Sequence, residues 1–377
     1  MSSKMGEEAV NKRVGILTWH YNNNFGSTLQ AFALQEALKK IGYNPIFLNY
    51  RKKEKPDEKY KNMVRLLRSY YLEMAGKDEA EQSRYGFLRF RKKYFKQGMY
   101  VYDNKNLGKE CKKCFAVICG SDQIWAPNVF DPTYFLNFVP KGVKKISYAA
   151  SIGLPAIPNH LVPQYTELLN DFNAISVREL AGKELLNRQC GIEAECVLDP
   201  TLLLDKNEWE QFEREKYVPD YKYIFCYFLN ADNNYSAIVN EYKKRLGFRV
   251  ICISADNKNA EEADLFLSGI GPDDFLSLIH NAQMVITDSF HGTVFSINYG
   301  INFATLLRFS EEDNLCQNSR IYNILKIMKM DEHIISSVSD IPKCCAGVEA
   351  CEKQEILMKE RKKSMDYLIK ALRQSLD

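Results

Sequence analysis

Short apolar runs alternate with amphipathic segments along most of the chain. VGILT at 14–18 has the length and composition of a buried strand. TLQAFALQEALKKIG at 28–42 has helical periodicity and ends in lysines and a glycine, as helices prefer. PIFLNY at 45–50 returns to the strand pattern. This order predicts a βαβ unit, which implies a parallel sheet with a right-handed crossover.

The same alternation continues to residue 307. We predict further strands in the apolar runs FAVIC (115–119), ISYAA (146–150), AISV (174–177), ECVL (195–198), YIFCYFL (223–229), RVICIS (249–254), MVIT (284–287) and FATLL (303–307). Helices are predicted at 233–247, 273–282, 292–300 and, as a long charged tail, 352–375. Residues 51–106 are rich in Lys, Arg, Glu and Tyr, which favours amphipathic helices there.

The chain is long enough for two domains, each with its own core. Two successive series of strands and helices meet at DPTLLL, so we predict an N-terminal Rossmann-like domain over 1–204 and a C-terminal one over 205–340. Residues 341–377 form a helical tail in this scheme. The expected fold class is α/β, with two doubly wound domains facing a cleft. Because ligands bind at the carboxyl ends of strands in such sheets, the loops after the strands are the places to look for a site.

Composition and charge narrow the class of protein. An apolar fraction of 46% and a charged fraction of 26% are ordinary for a globular protein. Lys+Arg less Asp+Glu is 51 − 48 = +3, which is too balanced to indicate a nucleic-acid partner. The opening MSSKMGEEAVNKR has no apolar h-region, and no stretch approaches the roughly 18 apolar residues of a membrane span. We therefore expect a cytoplasmic protein without signal peptide or transmembrane segment.

Signatures of metals and common cofactors are absent from the sequence. Of eleven cysteines, Cys111 and Cys114 have CxxC spacing, but no second pair matches them. An odd count in a chain without a signal peptide favours reduced thiols, with a structural zinc as the alternative. The motifs GxGxxG after the first strand, GxxxxGK[ST], GxSxG and HExxH do not occur, which argues against NAD, P-loop, serine-esterase and zinc-protease chemistry. We predict no metal.

The loop WHYNNNFGSTLQ follows the first predicted strand. Asn24, Gly26 and Ser27 precede a helix, so small side chains and backbone N–H groups there could receive an anion. An asparagine-rich turn that ends in a serine N-cap is the alternative, and this loop alone favours it.

The loop GSDQIW follows FAVIC. Gly120 allows a close backbone approach, Ser121, Asp122 and Gln123 can hydrogen-bond sugar hydroxyls, and Trp125 can stack on a sugar ring. A turn with an aspartate cap and a core tryptophan explains the same residues equally well.

The loop DSFHG follows MVIT, where a strand is predicted to end and a helix to begin. His291 and the N–H groups of Gly292 and Thr293 would point together from the helix start, which suits a phosphate or a carboxylate. His291 could also hold a proton for an acid step. A structural histidine beside a glycine is the alternative.

Two arginines have uncertain roles on the sequence alone. Arg178, in AISVREL, follows directly on a predicted strand, where its guanidinium could bind a carboxylate or a phosphate. A salt bridge to Glu179 or another neighbour is the simpler interpretation. Arg320, in QNSRIYNIL, stands at a predicted helix start and has the same two interpretations.

Taken together and in order, these loops resemble the polysaccharide pyruvyl transferase family. The matching pieces are NNNFGSTLQAFALQ (22–35), GSDQIW (120–125), DPTYFLNF (131–138), ISYAASIG (146–153), ISVRE (175–179), DPTLLL (199–204), MVITDSFHGTVFSINYGINF (284–303) and NSRI (318–321). The resemblance implies two Rossmann-like domains that face each other, as in GT-B glycosyltransferases. It places the acceptor on the N-terminal domain and the donor on the C-terminal domain, with the last helix packed back on the N-terminal domain.

The resemblance also implies an activity. An enolpyruvyl unit would pass from phosphoenolpyruvate to a sugar of a polysaccharide or its precursor, forming a pyruvate ketal and releasing phosphate, with no cofactor beyond this donor. If the acceptor is lipid-linked, RFRKKYFK at 89–96 becomes a candidate contact with the inner membrane face; a solvated helix face is the simpler interpretation. The alternatives are a GT-B-like glycosyltransferase that uses a nucleotide sugar and a non-catalytic glycan-binding relative.

The family's donor site is carried over by motif. Arg178 and His291 would contact phosphoenolpyruvate, Ser289 and Phe290 would flank it, and Gly292 would offer its backbone.

Roles in this reaction are a hypothesis from the chemistry of the residues. His291 would be the general acid or the phosphate ligand, and Asp122 the base toward the sugar hydroxyl. Some members of the family carry an arginine two residues before the histidine, where this chain has Ser289. The second cation for the donor is therefore open, with Arg308 and Arg320 as candidates.

Overall fold

The computed structural model describes residues 12–50, 79–95, 104–230, 233–254, 263–310, 313, 316–341 and 350–374. Its strands are β1 (Arg13–Leu17), β2 (Asn44–Phe47), β3 (Ala116–Cys119), β4 (Lys144–Ser147), β5 (Ser176–Val177), β6 (Glu195–Cys196), β7 (Tyr223–Phe228), β8 (Arg249–Ser254), β9 (Leu265–Phe266), β10 (Met284–Thr287) and β11 (Phe303–Thr305). Each predicted apolar run overlaps one of these strands, whereas β9 was not predicted. The prediction of the strands is confirmed.

Helices connect the strands. They are α1 (Phe25–Lys40), α2 (Glu79–Tyr94), α3 (Asn104–Cys111), α4 (Val162–Leu169), α5 (Leu180–Cys190), α6 (Lys206–Glu210), α7 (Asn233–Leu246), α8 (Pro272–His280), α9 (Phe290–Tyr299), α10 (Ser319–Met328) and α11 (Ala350–Arg373). The helices predicted from periodicity begin and end within three residues of α1, α7, α8, α9 and α11. Of the segment 51–106, residues 51–78 and 96–103 lie outside the described residues, and the rest contains α2 and the first residues of α3.

Two parallel sheets organise these elements. The first has the order β2-β1-β3-β4, and isolated bridges from β4 and the loop after it extend it toward the short pair β5-β6. The second has the order β11-β10-β7-β8-β9. Counted from its own first strand, the second sheet reads 3-2-1-4-5, which is the Rossmann order. The two sheets are therefore two Rossmann-like domains, as expected. The domain limits at residues 204 and 340 stay a prediction.

Each sheet contains a point where the strand order changes direction. In the first sheet this point lies between β1 and β3, and in the second between β7 and β10. The connections after these strands run to opposite sides of the sheet and leave a crevice at the carboxyl ends, which is where ligands bind in open α/β sheets. The loops that the sequence marked as polar, after β1, β3 and β10, follow three of these four strands.

Helices α1 and α9 begin at these crevices, and a side chain caps each of them. The Asn24 side chain accepts the N–H of Ser27, and the Ser289 side chain accepts the N–H of Gly292. Helix α9 ends at Gly300, whose φ of 71° is the left-handed conformation that glycine adopts without strain. The two caps thus fix where the helices start, and they position the side chains of the first turns.

The two domains pack directly on each other through α1. Phe25, in its first turn, stacks on Phe275 of α8 with ring centroids 4.5 Å apart and ring planes at 5°. Phe25 also contacts the ring of Tyr227 of β7 at 5.7 Å. Stacked aromatic rings at these distances contribute beyond their buried area, so α1 is held against the C-terminal domain as well as against its own sheet.

The C-terminal helix α11 packs back on the N-terminal domain, as the resemblance implied. Leu368 and Leu372 of α11 are buried, the Ser364 hydroxyl accepts the N–H of Leu198 at 2.9 Å, and the Tyr367 hydroxyl donates to the Ser147 carbonyl at 2.9 Å. The helix thereby covers the sheet at β4. No helix in the described part of the chain is long and apolar enough to cross a membrane.

The basic segment 89–96 is partly turned into the molecule. Arg89 bonds Asp273 at 2.6 Å and Asp274 at 3.3 Å, both at the start of α8. Arg91 donates to the carbonyl of Asn22 at 3.1 Å. These two arginines link α2 to the C-terminal domain and to the loop after β1, so part of the segment's charge is used inside the protein. Its contact with a membrane face stays a prediction.

Candidate active site

A cavity of about 230 Å³ lies where the crevices of the two sheets meet. Its lining comes from the loops after β1, β3, β7, β10 and β11 and from helix starts: Trp19, Asn22, Asn24, Ser27, Asp122, Gln123, Leu229, Ser289, Phe290, His291, Arg308 and Arg320. Most of the side chains predicted for the site therefore meet in one place. Those on this lining are His291, Asp122, Asn24, Ser27, Gln123, Ser289, Phe290 and Arg320.

Asp122 is the carboxylate on the N-terminal wall of the cavity. Its Oδ2 accepts the hydroxyl of Ser27 at 2.5 Å, and its Oδ1 accepts the N–H of Gln123 at 2.9 Å. The backbone of Asp122 has a φ of 73°, in the left-handed region that aspartate tolerates better than most residues. Both oxygens are therefore held in place, and the carboxylate faces the space between the domains.

The start of α9 forms the opposite wall, with one correction to the expectation. The N–H of Gly292 donates to the Ser289 hydroxyl at 3.4 Å, and the N–H of Thr293 donates to the Ser289 carbonyl at 3.0 Å. These two N–H groups already donate to Ser289 and are not available to bind an anion. A Cβ at Gly292 would lie 2.5 Å from the Thr287 hydroxyl, so the glycine serves packing against β10. Phe290 and His291, the first two helical residues, line the cavity instead.

His291 reaches across to the N-terminal domain. Its Nε2 lies 3.7 Å from Oδ2 of Asp199, and this nitrogen is buried without a hydrogen-bond partner among the described residues. Its ring also lies against the backbone of Gly26: a Cβ built on that glycine would fall 1.9 Å from Nδ1. Gly26 thus stands behind the lining in contact with the histidine, and not on the cavity wall itself.

Asp199 joins several site residues and was missed in the sequence. Its Oδ2 accepts Nη1 of Arg178 at 2.9 Å and the Ser121 hydroxyl at 3.1 Å, while its Oδ1 accepts the N–H and hydroxyl of Thr201. Burial opposes ionisation, but the contacts with His291 and Arg178 outweigh it and hold the pKa of Asp199 well below its usual range. A buried carboxylate is therefore shared by the two residues expected to contact the donor.

Arg178 lies behind the cavity wall. Its guanidinium stands 4.4 Å from the ring centroid of Phe290, which separates it from the cavity lining. Burial disfavours its charge, but the carboxylates of Asp199, Asp122 and Glu179 outweigh this and raise the pKa of Arg178. Its Nε and Nη2 have no hydrogen-bond partner among the described residues. The predicted contact between Arg178 and the donor stays a prediction.

Arg308 and Arg320 supply the cations on the cavity wall itself. Arg320 bonds the carbonyl and the side chain of Gln317, and neither contact carries an opposite charge. Burial and the nearby charge of Arg178 lower the pKa of Arg320 to about 9. Nε of Arg308 is buried and has no hydrogen-bond partner in the described part of the chain. Arg308 and Arg320 are thus both in place as candidates for the second cation, which some relatives supply from the position of Ser289.

Trp125 does not stack on a ligand. It is fully buried, donates from Nε1 to the Tyr134 carbonyl at 3.1 Å, and stacks on Phe135 at 5.3 Å. The expectation of a sugar-stacking tryptophan is wrong, because a local core formed by the following residues encloses the indole. The alternative, a core tryptophan, is confirmed.

Gly120 and Ser121 lie behind the lining of the cavity and do not form part of its surface. A Cβ at Gly120 would lie 2.2 Å from the Tyr148 carbonyl oxygen, so the close approach that glycine allows is to backbone and not to a ligand. Ser121 is fully buried, and its hydroxyl contacts the Ala149 carbonyl and Asp199. The predicted contacts of these two residues with a substrate are corrected accordingly.

A second buried carboxylate shapes the wall after β7. Oδ1 of Asp288 accepts the N–H of Leu229 at 2.7 Å, and Oδ2 accepts the N–H of Asn230 at 2.9 Å. Burial raises the pKa of Asp288 to about 6 despite these bonds. Since Leu229 lines the cavity, Asp288 fixes the loop that closes it on this side.

Several residues of the site were not singled out in the sequence, although the positions of some of them indicated a site. Asp199 opens DPTLLL directly after ECVL, which is the post-strand position that was used to find other loops, whereas Leu229 was included in the predicted strand YIFCYFL (223–229) and lies directly after β7. Asp288 precedes Ser289 in the same DSFHG loop. Trp19 begins the loop after β1 but is apolar, and an apolar residue gives no chemical indication of a site.

The fold and the cleft define the class of protein as GT-B-like. The chain superposes on a glycosyltransferase from Rickettsia africae with a TM-score of 0.50 and 10% identity, over 96% of this chain and 99% of that one. It superposes on AviGT4, a glycosyltransferase involved in avilamycin A biosynthesis, with a TM-score of 0.51 and 10% identity, over 96% and 97%. At this identity the likeness shows the fold alone.

A family model identifies the class of this protein more specifically. The polysaccharide pyruvyl transferase model matches residues 24–308, so the chain belongs to this family. The match covers every loop that lines the cavity except the one that carries Arg320 and the residues before Asn24. No curated protein matches the chain.

Proposed function

We propose that this protein transfers an enolpyruvyl group from phosphoenolpyruvate to a sugar and closes a pyruvate ketal on two of its hydroxyls. One observation supports this most directly: the cavity gathers His291, Arg308 and Arg320 around a space that contains one lining carboxylate, Asp122. Phosphoenolpyruvate carries a phosphate and a carboxylate, so its site needs several cations close together. The name of the family to which the chain belongs supports pyruvyl transfer to a polysaccharide.

The donor fits between the arginines and the start of α9. Arg308 and Arg320 would bind the phosphate and the carboxylate, since guanidinium groups bind both as paired hydrogen bonds. The first N–H groups of α9, at Phe290 and His291, have no intrahelical partner and lie at the positive end of the helix dipole. Arg178 adds positive charge from behind Phe290.

His291 acts as the general acid in the first step. Its proton passes to the methylene carbon of phosphoenolpyruvate, the double-bond electrons form the new C–H bond, and C2 becomes an oxocarbenium-like centre. Asp199 remains ionised beside the imidazole, so a buried carboxylate balances the proton that His291 holds before the transfer. General acid catalysis of this kind contributes about 10²–10⁴-fold to the rate.

Asp122 acts as the base toward the acceptor. A sugar hydroxyl attacks C2 while its proton passes to Asp122, whose position on the opposite wall faces the same space. The bond from C2 to the phosphate oxygen then breaks, a second hydroxyl attacks C2, and its proton leaves with the phosphate. The proton on Asp122 returns to His291 through solvent, so atoms and charges balance over one turnover.

The test is phosphate release from phosphoenolpyruvate in the presence of galactose-type glycosides. His291→Ala should lower the rate by about 10²-fold or more, because the acid is lost. His160→Ala, at an exposed histidine away from the cavity, is the matched control and should keep the wild-type rate. Wild-type turnover by a folded His291→Ala protein would refute the assignment.

A parallel measurement addresses the alternative of a nucleotide-sugar enzyme. Under the proposal, phosphoenolpyruvate raises the melting temperature and UDP-sugars do not, because the cations around the cavity suit a small compact anion. Stabilisation by UDP-sugars alone would favour the glycosyltransferase alternative.

A further inference from the structure

His291 belongs to the C-terminal domain, but two residues of the N-terminal domain define its position. Gly26 and Asp199 contact the imidazole from two sides: Gly26 lies against the ring at Nδ1, and Asp199 stands 3.7 Å from Nε2. The ring therefore lies between the first turn of α1 and the carboxylate that follows β6.

Contact with the ring explains why residue 26 is a glycine. Gly26 lies in the first turn of helix α1, where the backbone conformation is open to any residue and glycine is a poorer helix former than alanine. The three atoms nearest to a Cβ built there, Nδ1, Cγ and Cε1, all belong to His291 and lie at 1.9, 2.4 and 2.5 Å. Helix formation thus disfavours glycine here, and the space for the imidazole requires it.

On the other side of the ring, Asp199 supplies a negative charge, and hydrogen bonds hold its carboxylate in place. Its Oδ1 is held by Thr201 and its Oδ2 by Arg178 and Ser121, so the carboxylate cannot turn away from Nε2 without breaking these bonds. With the Gly26 backbone against one side of the ring and the Asp199 carboxylate near the other, the imidazole has little freedom.

We infer that Gly26 and Asp199 are positioning residues that seat His291 against the N-terminal domain, so that the histidine reaches its working position only when the two domains are packed as they are here. The effect on catalysis rests on the proposed function. The seat, by which we mean the contacts of Gly26 and Asp199 with the His291 ring, depends only on packing. Gly26 acts by leaving space for the ring, and Asp199 by fixing its direction.

A double-mutant cycle tests the seat without any assumption about the substrate. Gly26→Ala should lower the melting temperature by about 2–10 °C, because a methyl group is forced into the imidazole. Gly26→Ala in a His291→Ala background should cost little or nothing, since the ring is gone. In a His160→Ala background, Gly26→Ala should cost as much as it does alone.

Activity gives the second readout. Gly26→Ala should lower phosphate release from phosphoenolpyruvate by about 10²-fold, as His291→Ala does, and the two changes together should be no worse than His291→Ala alone. The loss should appear in kcat more than in KM, because the donor's arginines are untouched.

The outcomes separate the seat from the proposed function. If the wild-type protein releases no phosphate but the stability cycle behaves as described, the seat stands and the proposed function fails. If Gly26→Ala leaves the melting temperature unchanged, or if its cost persists without His291, the seat is refuted. Failure of both Gly26→Ala proteins to fold would refute it too, because the methyl group would then collide with something other than the imidazole.

Discussion

Asp199 ties together side chains that sequence analysis treated separately. Arg178 has two interpretations in the sequence, a donor ligand or a salt bridge to Glu179 or another neighbour. Among the described residues its guanidinium pairs with Asp199 at 2.9 Å, whereas Glu179 stands 4.0 Å away. Burying a charge is costly unless it is paired, so each of these groups depends on the others. The carboxylate also stands beside His291, which makes one buried residue important for both stability and the site.

Asp199→Asn should destabilise the protein by about 3–5 kcal/mol at pH 7, because Arg178 is left buried without its closest counter-ion. Since the pKa of Asp199 is held well below its usual range, its contribution is complete above the unfolded pKa of about 3.9 and is lost as the pH falls below that value. The difference from wild type should therefore shrink below about pH 4.

Urea unfolding of wild type and Asp199→Asn at a series of pH values measures this difference. Asp366→Asn, at an exposed position on α11, is the control and should change stability by less than about 0.5 kcal/mol. Equal stability of wild type and Asp199→Asn at pH 7, or a difference that grows toward acid pH, would contradict the role of Asp199.

Individual residues could be predicted only where chemistry and position agreed. His291 and Asp122 are polar and follow predicted strands, and both line the cavity. Trp125 was misjudged because its burial depends on the chain that packs over it, which local sequence does not reveal. Asp199 was missed because its partners are far away in sequence, and a single DP turn does not show that an arginine and a histidine converge on it.

At the level of helices and strands, the N-terminal ends of two helices, α1 and α9, form much of the site. Both α1 and α9 begin at the end of a loop that follows a strand beside a change in strand order, and each has its cap supplied by a side chain, Asn24 or Ser289. Their N-terminal ends open on the same cavity, where the helix dipoles favour an anion. The sequence predicted both helices to within three residues of their observed ends, although every residue of α9 and most residues of α1 are buried.

Helix α11 holds the N-terminal domain from outside, and its packing can be tested within one helix. Leu368 is fully buried, whereas Met358 on the same helix is 56% exposed. Leu368→Ala should cost about 2–5 kcal/mol by leaving a cavity, and Met358→Ala should cost little. Guanidinium unfolding gives both values. If the two substitutions were equally mild, the helix would not be packed on the domain as described.

Strands were easier to predict than the pairing of the strands. In a parallel sheet with both faces covered, strands read as continuous apolar runs, and each such run here contains or adjoins a strand. The order of the strands is not written in any one run. It follows from the crossovers, and it was the observed order that located the two crevices at β1/β3 and β7/β10.

For the molecule as a whole, the domain arrangement creates the site. Neither domain alone has the whole set of charged groups: Asp122 and Asp199 come from the N-terminal one, and His291, Arg308 and Arg320 from the C-terminal one. Under the proposed function, a donor and an acceptor meet between these two domains. The sequence predicted this meeting through the resemblance, since charge balance and composition described only an ordinary globular chain.

The most direct test of the account is the mass of the product. The protein is incubated with a panel of glycosides and either phosphoenolpyruvate or UDP-sugars. The mass of each glycoside is then measured by mass spectrometry, and released phosphate is measured in parallel. The account predicts that one acceptor gains the mass of one pyruvate less one water, with an equal amount of phosphate released. An acceptor that gains a sugar from a UDP-sugar and nothing from phosphoenolpyruvate would contradict it.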